Sequence, residues 1–372
     1  MDLVQRTDTR DTLRRATDDM LLEIRNLRTS FFTRRGVVRA VNELNLTVRA
    51  GEVLGLVGES GCGKSVTALS ILRLLGDNAR ISGSIKLNGC ELLQLTESKM
   101  VQVRGGCVSM IFQQPIPSLD PVYKVGAQIV EAIRVHRKMS KPAAWENAVR
   151  LLDEVGIPDA GRRVHSYPHE FSGGMAQRVM IAIALACEPR LLIADEPTTA
   201  LDVTIQAQIL RLLRRLTKQT GMAVILITHD LGVVAEMADR VAVMYAGQIV
   251  EQAEVEPLFD RPLHPYTQGL MRCVPSMDEA EERLCVIPGS VPNMTYLPPG
   301  CSFAPRCQAC HEYDLPICHE VEAHLEPVEA GHQVRCWLYQ DDAERTHRAP
   351  RALRQGSGGE QPAIQSCSAQ AS

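Results

Sequence analysis

Between Leu21 and about Phe259, short apolar runs alternate with longer amphipathic stretches. That alternation is the pattern of an α/β domain. Three runs, residues 53–57 (VLGLV), 191–194 (LLIA) and 223–227 (AVILI), are apolar without interruption. Such runs predict parallel strands covered on both faces. Residues 206–216 (QAQILRLLRRL) place Ile209, Leu212, Leu213 and Leu216 on one helical face, with arginines opposite. Each apolar run ends at polar residues: Gly58 onward, Asp195-Glu196, and Thr228-His229-Asp230. Ligands of open parallel sheets bind at the carboxyl ends of the strands, so these three groups are expected to converge.

The texture changes twice. From about Gly106 to Arg178, helical stretches are broken by Pro115, Pro117, Pro121, Pro142, Pro158 and Pro168, which predicts a helical insertion on the sheet core. Beyond residue 260 prolines become dense (Pro262, Pro265, Pro275, Pro288, Pro292, Pro298, Pro299, Pro305), marking a second, loop-rich domain over 261–340. Residues 1–20 read as a solvated tail. The polar, low-complexity residues 341–372 read as a disordered one.

Composition narrows the possible functions. The net charge is −4 over 372 residues, the wrong sign for a general nucleic-acid binder, which needs a basic surface. Aromatics at 4 % disfavour base-stacking platforms. No apolar stretch reaches the ~18 residues of a membrane span. The first twenty residues alternate charges rather than form an apolar signal core, so a cytosolic chain is expected.

Residues 58–65, Gly58-Glu59-Ser60-Gly61-Cys62-Gly63-Lys64-Ser65, match the phosphate-loop pattern G-x-x-x-x-G-K-[ST]. An apolar strand precedes the match and a helical pattern (SVTALSILRLL) follows it, which a chance glycine-rich turn would not share. Gly58, Ser60, Gly61 and Gly63 let the backbone wrap phosphate oxygens at a helix N-terminus. Lys64 would neutralise the β- and γ-phosphates, and the Ser65 hydroxyl would hold Mg²⁺. Asp195 supplies a carboxylate for the Mg²⁺ shell, and Glu196 one that can polarise an attacking water as general base. Strand ends in Asp-Glu and lone histidines are common, so His229 and this pair gain meaning only from the phosphate loop beside them.

Residues 171–178, Phe171-Ser172-Gly173-Gly174-Met175-Ala176-Gln177-Arg178, resemble the signature sequence of ATP-binding cassette (ABC) proteins. The resemblance covers Leu21 to about Gln252. It implies a P-loop NTPase with a parallel RecA-like core, an N-terminal antiparallel β subdomain and a helical subdomain. Gln113 resembles the Q-loop glutamine that contacts Mg²⁺ and senses the membrane partner, residues 200–202 (ALD) the D-loop with Asp202, and His229 the switch histidine at the γ-phosphate. In this family Ser172, Gly173 and Gly174 act in trans, closing on the nucleotide held by a second cassette. Arg35, near Phe31 and Phe32, falls where the family's adenine-stacking aromatic stands. Ala176 departs from the usual polar residue.

Residues 264–268 (HPYTQ), 287–289 (IPG), 300–307 (GCSFAPRC) and 113–121 (QQPIPSLDP) resemble ATP-binding subunits of oligopeptide, dipeptide and nickel importers. The resemblance implies an ATPase on the cytoplasmic face of the membrane, working with a second cassette (identical or a paralogue) and two permease subunits. A solute-binding protein would deliver cargo. The alternative is a non-transport ABC ATPase such as a carbon–phosphorus lyase accessory cassette.

Five of the 12 cysteines (Cys301, Cys307, Cys310, Cys318, Cys336) crowd into 36 residues. In a reducing compartment such crowding points to metal or cluster ligation rather than disulfides. Importer ATPases of this group hold a 4Fe–4S cluster in that region, so the resemblance implies one at Cys301, Cys307, Cys318 and Cys336. Tetrathiolate sites also suit zinc, and unligated thiols stay open.

Overall fold

The structure is a computed structural model that describes residues 19–199, 201–273 and 287–340. The two terminal tails therefore lie almost wholly outside the described residues, as do Ala200 of the D-loop and Pro275. Strand β1 (Met20–Thr33) starts at the very end of the expected N-terminal tail.

Long strands β1 and β2 (Gly36–Arg49) form an antiparallel hairpin. With β4 (Ala79–Leu87) and the short β5 (Cys90–Glu91) they make a four-stranded sheet in the order β2-β1-β4-β5. The second sheet is the core. Its parallel part is built from β3 (Val53–Val57), β6 (Val108–Ile111), β7 (Leu191–Asp195), β8 (Ala223–Thr228) and β9 (Arg240–Tyr245) in the order β9-β3-β8-β7-β6. Met110, Ile193, Ile225 and Leu54 stand in register across β6, β7, β8 and β3. The three continuous apolar runs are thus adjacent parallel strands.

Both faces of these strands are covered, which is why their sequences do not alternate. Leu192, Ala194, Val224 and Leu226 point into a core shared with the helical layer. Leu191, Ile193, Ala223, Ile225 and Ile227 point into a core shared with the antiparallel sheet. Helix α1 (Lys64–Leu72) follows β3 and buries Ile71 and Leu72 in that second core. The helical layer holds α2 (Val125–His136), α3 (Lys141–Glu154), α4 (Gly173–Leu185) and α5 (Val203–Thr220). Helix α5 buries Ile209, Leu212, Leu213 and Leu216, the face its 3.6-residue period predicts.

The helical insertion starts later than expected. Residues 108–111, which the breaker-rich pattern assigns to it, are β6 and pair with β7. A four-residue apolar run inside a breaker-rich stretch carries too little period to be distinguished from a helix.

Residues 261–340 carry helix α6 (Pro265–Arg272) and the strands β11 (Glu326–Glu329) and β12 (His332–Val334). Strand β10 (Gln248–Glu254) pairs antiparallel with β9, and β12 pairs antiparallel with β10, so the core sheet runs on into the C-terminal extension. A third core, including Tyr245, Val250, Tyr266, Phe303 and Leu338, joins the two. Within it the Tyr245 and Phe303 rings meet edge-on with centroids 5.2 Å apart, and Tyr245 and Tyr266 sit 4.7 Å apart. Such aromatic pairs add about 0.5–1.5 kcal/mol each beyond their buried area.

Candidate active site at the strand ends

The carboxyl ends of β3, β6, β7 and β8 deliver their polar residues to one rim of the core sheet. Residues 58–63 turn from β3 into α1. At Gly58, φ is 151°, and a Cβ would overlap the Met244 carbonyl; at Gly63, φ is 109°, and a Cβ would overlap that of Ala40. Only glycine fits either place. Ser60 and Gly61 lie exposed on the outside of the turn. Lys64 is the first residue of α1 and is buried. Its Nζ donates to the carbonyls of Gly58 at 2.7 Å and Glu59 at 3.0 Å. Cys62 is buried beneath the loop, and burial pushes its thiol up despite the adjacent Lys64.

Asp195 ends β7. Burial raises its pKa, opposed by a hydrogen bond from Ser65 and assisted by the charge of Glu196. Its Oδ1 is buried with no hydrogen-bond partner. A carboxylate with one oxygen held by a phosphate-loop serine and the other unpartnered suits a Mg²⁺ shell, so the residues present fit that ion.

Glu196, with φ 47°, turns off the strand and gathers three neighbours. Gln113, two residues beyond β6, donates from Nε2 to Glu196 Oε2 at 2.8 Å, and Thr199 Oγ donates to the same oxygen at 2.8 Å. His229, just after β8, places Nδ1 3.2 Å from Oε1. Burial pushes the Glu196 carboxyl up, but the hydrogen bonds from Thr199 and His229 and the charges of His229 and Lys64 outweigh it. The net shift is downward, which keeps the group ionised. His229 is largely exposed, at 62 % of its side chain, and so can reach outward from the rim.

Five further expected residues share no hydrogen bond with this cluster. Ser172 caps α4, its hydroxyl accepting from Met175 N at 3.4 Å, with Gly173 and Gly174 opening the helix beside α5. Asp202 caps α5 by accepting from Ile205 N at 2.9 Å. Arg35 is exposed in the turn between β1 and β2, its N–H donating to Thr33 Oγ at 3.2 Å. Sequence reasoning missed Thr199, whose only signal was its place three residues past Glu196, and it missed Tyr266 and Arg306, which reach the phosphate loop from the extension.

Two family models match the chain: "ABC transporter" over residues 41–199 and "Oligopeptide/dipeptide transporter, C-terminal region" over residues 250–313. A probable peptide ABC transporter ATP-binding protein of Sinorhizobium fredii is 53 % identical over 322 residues, which span 86 % of this chain and 95 % of that protein. The chain belongs to the ABC transporter family. It is an ATPase cassette, binding ATP with Mg²⁺. The oligopeptide transport ATP-binding protein OppD of Salmonella typhimurium is 51 % identical over 319 residues, covering 86 % of this chain and 94 % of OppD. A dimeric ATP-binding cassette solved in a post-hydrolysis state with ADP and Pi superposes with a TM-score of 0.58 at 25 % identity, covering 63 % of this chain and 99 % of that one. Among the described residues no helix of this cassette is long and apolar enough to cross a membrane.

The metal expectation for the extension, a 4Fe–4S cluster or zinc at Cys301, Cys307, Cys318 and Cys336, finds no support in the structure. Burial pushes the Cys307 thiol up to about 12 and raises those of Cys301, Cys318 and Cys336, with neighbouring thiols adding to each shift. The cysteines do converge. Among the described residues no group of three or more His, Cys, Asp or Glu is placed to hold a metal ion. As placed, Cys301, Cys307, Cys318 and Cys336 form no metal site.

Proposed function

We propose that this cassette powers import of peptides across the cytoplasmic membrane, docked on the inner face through two permease subunits, with a second cassette as its partner. The observation that carries the site's part of this reading is the convergence of Lys64, the Ser65–Asp195 pair and the Gln113–Glu196–His229 group on one sheet rim. The peptide cargo and the membrane partners rest on the relatives, whose names are those of peptide-transport subunits. Nothing among them favours a carbon–phosphorus lyase role.

In this reading Gly58, Ser60, Gly61 and Gly63 wrap the phosphates, and Lys64 exchanges its two loop carbonyls for phosphate oxygens. Ser65, Asp195 and Gln113 would hold Mg²⁺, which when bound draws charge off the β- and γ-phosphate oxygens. Glu196 accepts the proton of the attacking water, and His229 orients toward the γ-phosphate. Ser172, Gly173 and Gly174 offer a helix N-terminus to nucleotide on the partner cassette, and Asp202 belongs to the D-loop that meets that partner. Arg35 stacks on the adenine. A solute-binding protein delivers the peptide outside.

Uptake of a labelled oligopeptide by cells lacking the chain tests this reading. Wild-type chain should restore uptake and Glu196→Gln should not; uptake of peptide regardless of the chain would overturn it. A 4Fe–4S cluster has behind it only the resemblance and the convergence of the thiols. Iron and acid-labile sulfide in anaerobically prepared protein would support it, and colourless protein would remove it.

A further inference from the structure

The phosphate loop contains an acidic residue. Glu59, second of its eight residues, sits where an anion is to bind, and its side chain is 26 % exposed. A carboxylate there opposes a triphosphate unless something neutralises it. Arg306, in the C-terminal extension, does so with a two-pronged ion pair: Nη1 to Oε2 at 2.7 Å and Nη2 to Oε1 at 2.9 Å. The planar guanidinium matches a carboxylate in this geometry, which a lysine cannot reproduce.

Arg306 is itself held from every side. Its Nε donates to Pro288 O at 2.7 Å, Nη2 also to Ile287 O at 3.3 Å, and Nη1 to Tyr245 Oη at 3.3 Å. Its guanidinium lies 5.7 Å from the Tyr245 ring centre and 5.8 Å from that of Phe303. Its side chain is only 6 % exposed. A second extension residue reaches the same place: the Glu59 N–H donates to Tyr266 Oη at 2.8 Å, and Tyr266 is fully buried. The extension also grips the β1–β2 hairpin, where Arg39 N donates to Met294 O at 3.0 Å.

We propose that Arg306 and Tyr266 are positioning residues of the ATP site, Arg306 cancelling the charge of Glu59 and Tyr266 fixing its backbone, so that the extension sets the nucleotide affinity of the cassette. The inference rests on residues 58–65 being the phosphate site. A merely structural clamp would not act through charge, and that difference is measurable.

The test is equilibrium binding of a non-hydrolysable ATP analogue to the full chain at low salt. Arg306→Met should weaken binding roughly tenfold, the order of effect of one uncancelled charge beside a bound polyphosphate at an effective dielectric near 20. The deficit should shrink as salt rises. Adding Glu59→Gln to Arg306→Met should bring affinity back to within about twofold of wild type, because the charge that needed cancelling is gone. Failure of that second substitution to restore binding, or wild-type affinity in folded Arg306→Met, would overturn the proposal. Tyr266→Phe, which keeps the ring and removes one oxygen, tests the backbone half independently. It should raise KM for ATP about fivefold, the worth of one hydrogen bond, with kcat retained. A fall in kcat at unchanged KM would count against it. Lys64→Ala separates the two levels: if it binds the analogue as wild type does, the phosphate-site reading itself fails, whereas lost binding there with unaltered Arg306→Met and Tyr266→Phe sinks only the role of the extension.

Discussion

Gln113 Nε2 lies 2.8 Å from Glu196 Oε2 and donates to it, joining the ends of β6 and β7 across 83 residues of chain. Thr199 shares that oxygen and His229 faces the other, so both oxygens of the carboxylate are engaged. A group held this way loses little rotamer freedom when a water is presented to it, and the lever on its orientation is Gln113. Gln113 is exposed, two residues past the sheet, so a movement of its loop is transmitted to Glu196 through one hydrogen bond.

Replacing Glu196 by glutamine keeps the shape and removes the proton acceptor. Steady-state ATP hydrolysis should fall by roughly 10²- to 10⁴-fold, the usual contribution of a general base, while ATP binding is retained. Near-normal turnover in phosphate-release assays would remove Glu196 from the chemistry.

Lys64 spends its Nζ protons on the Gly58 and Glu59 carbonyls, contacts within the loop that phosphate oxygens can replace. Lys64→Ala deletes a charge-assisted bond worth about 1.5–3 kcal/mol, so ATP affinity should drop by roughly 10- to 100-fold. Isothermal titration with ATP and Mg²⁺ reads this directly; an unchanged Kd contradicts the assignment.

The Thr199 hydroxyl helps to hold the Glu196 carboxyl below its ordinary value against the burial that raises it. Thr199→Val removes that donor at nearly constant volume. The Glu196 pKa should then rise, and since the ionised form is the active one, the acid limb of the kcat–pH profile should move to higher pH. A limb that stays in place, or moves to lower pH, would show that Glu196 does not govern it.

The strand ends were legible because each unbroken apolar run stops at a polar residue, and parallel topology leaves those ends on one rim. Gly58 and Gly63 were legible because their backbone geometry admits no other residue. Strand β6 was not, since four residues carry too little period. Nor was the Glu59–Arg306 pair, which spans 247 positions and is created by the packing of Tyr245, Tyr266 and Phe303 rather than by any local pattern. The crowding of five cysteines pointed to ligation, yet among the described residues no group of three or more His, Cys, Asp or Glu is placed to hold a metal ion, and crowding along the chain does not report placement in space.

His264 joins the extension to the core sheet and gives the fold a pH dependence. Its Nδ1 accepts from Tyr266 N at 3.0 Å while its own backbone N–H donates to Glu251, whose buried carboxylate also faces His332. Burial, reinforced by the charge of Arg335 and only partly opposed by that of Glu251, lowers the His264 pKa to about 4 from an ordinary 6.5. Between these values the unfolded chain binds the proton more tightly than the folded one. Stability is therefore full above about pH 6.5 and declines as pH falls toward 4, by about 1.4 kcal/mol per unit from this group. Asparagine at this position keeps an acceptor for the Tyr266 N–H, suits the first position before a helix, and does not titrate. Urea unfolding of wild type and His264→Asn should thus give curves that diverge below pH 6.5, wild type losing about 2 kcal/mol more by pH 5. Parallel losses in the two proteins would mean that His264 is not the group whose protonation loosens the extension.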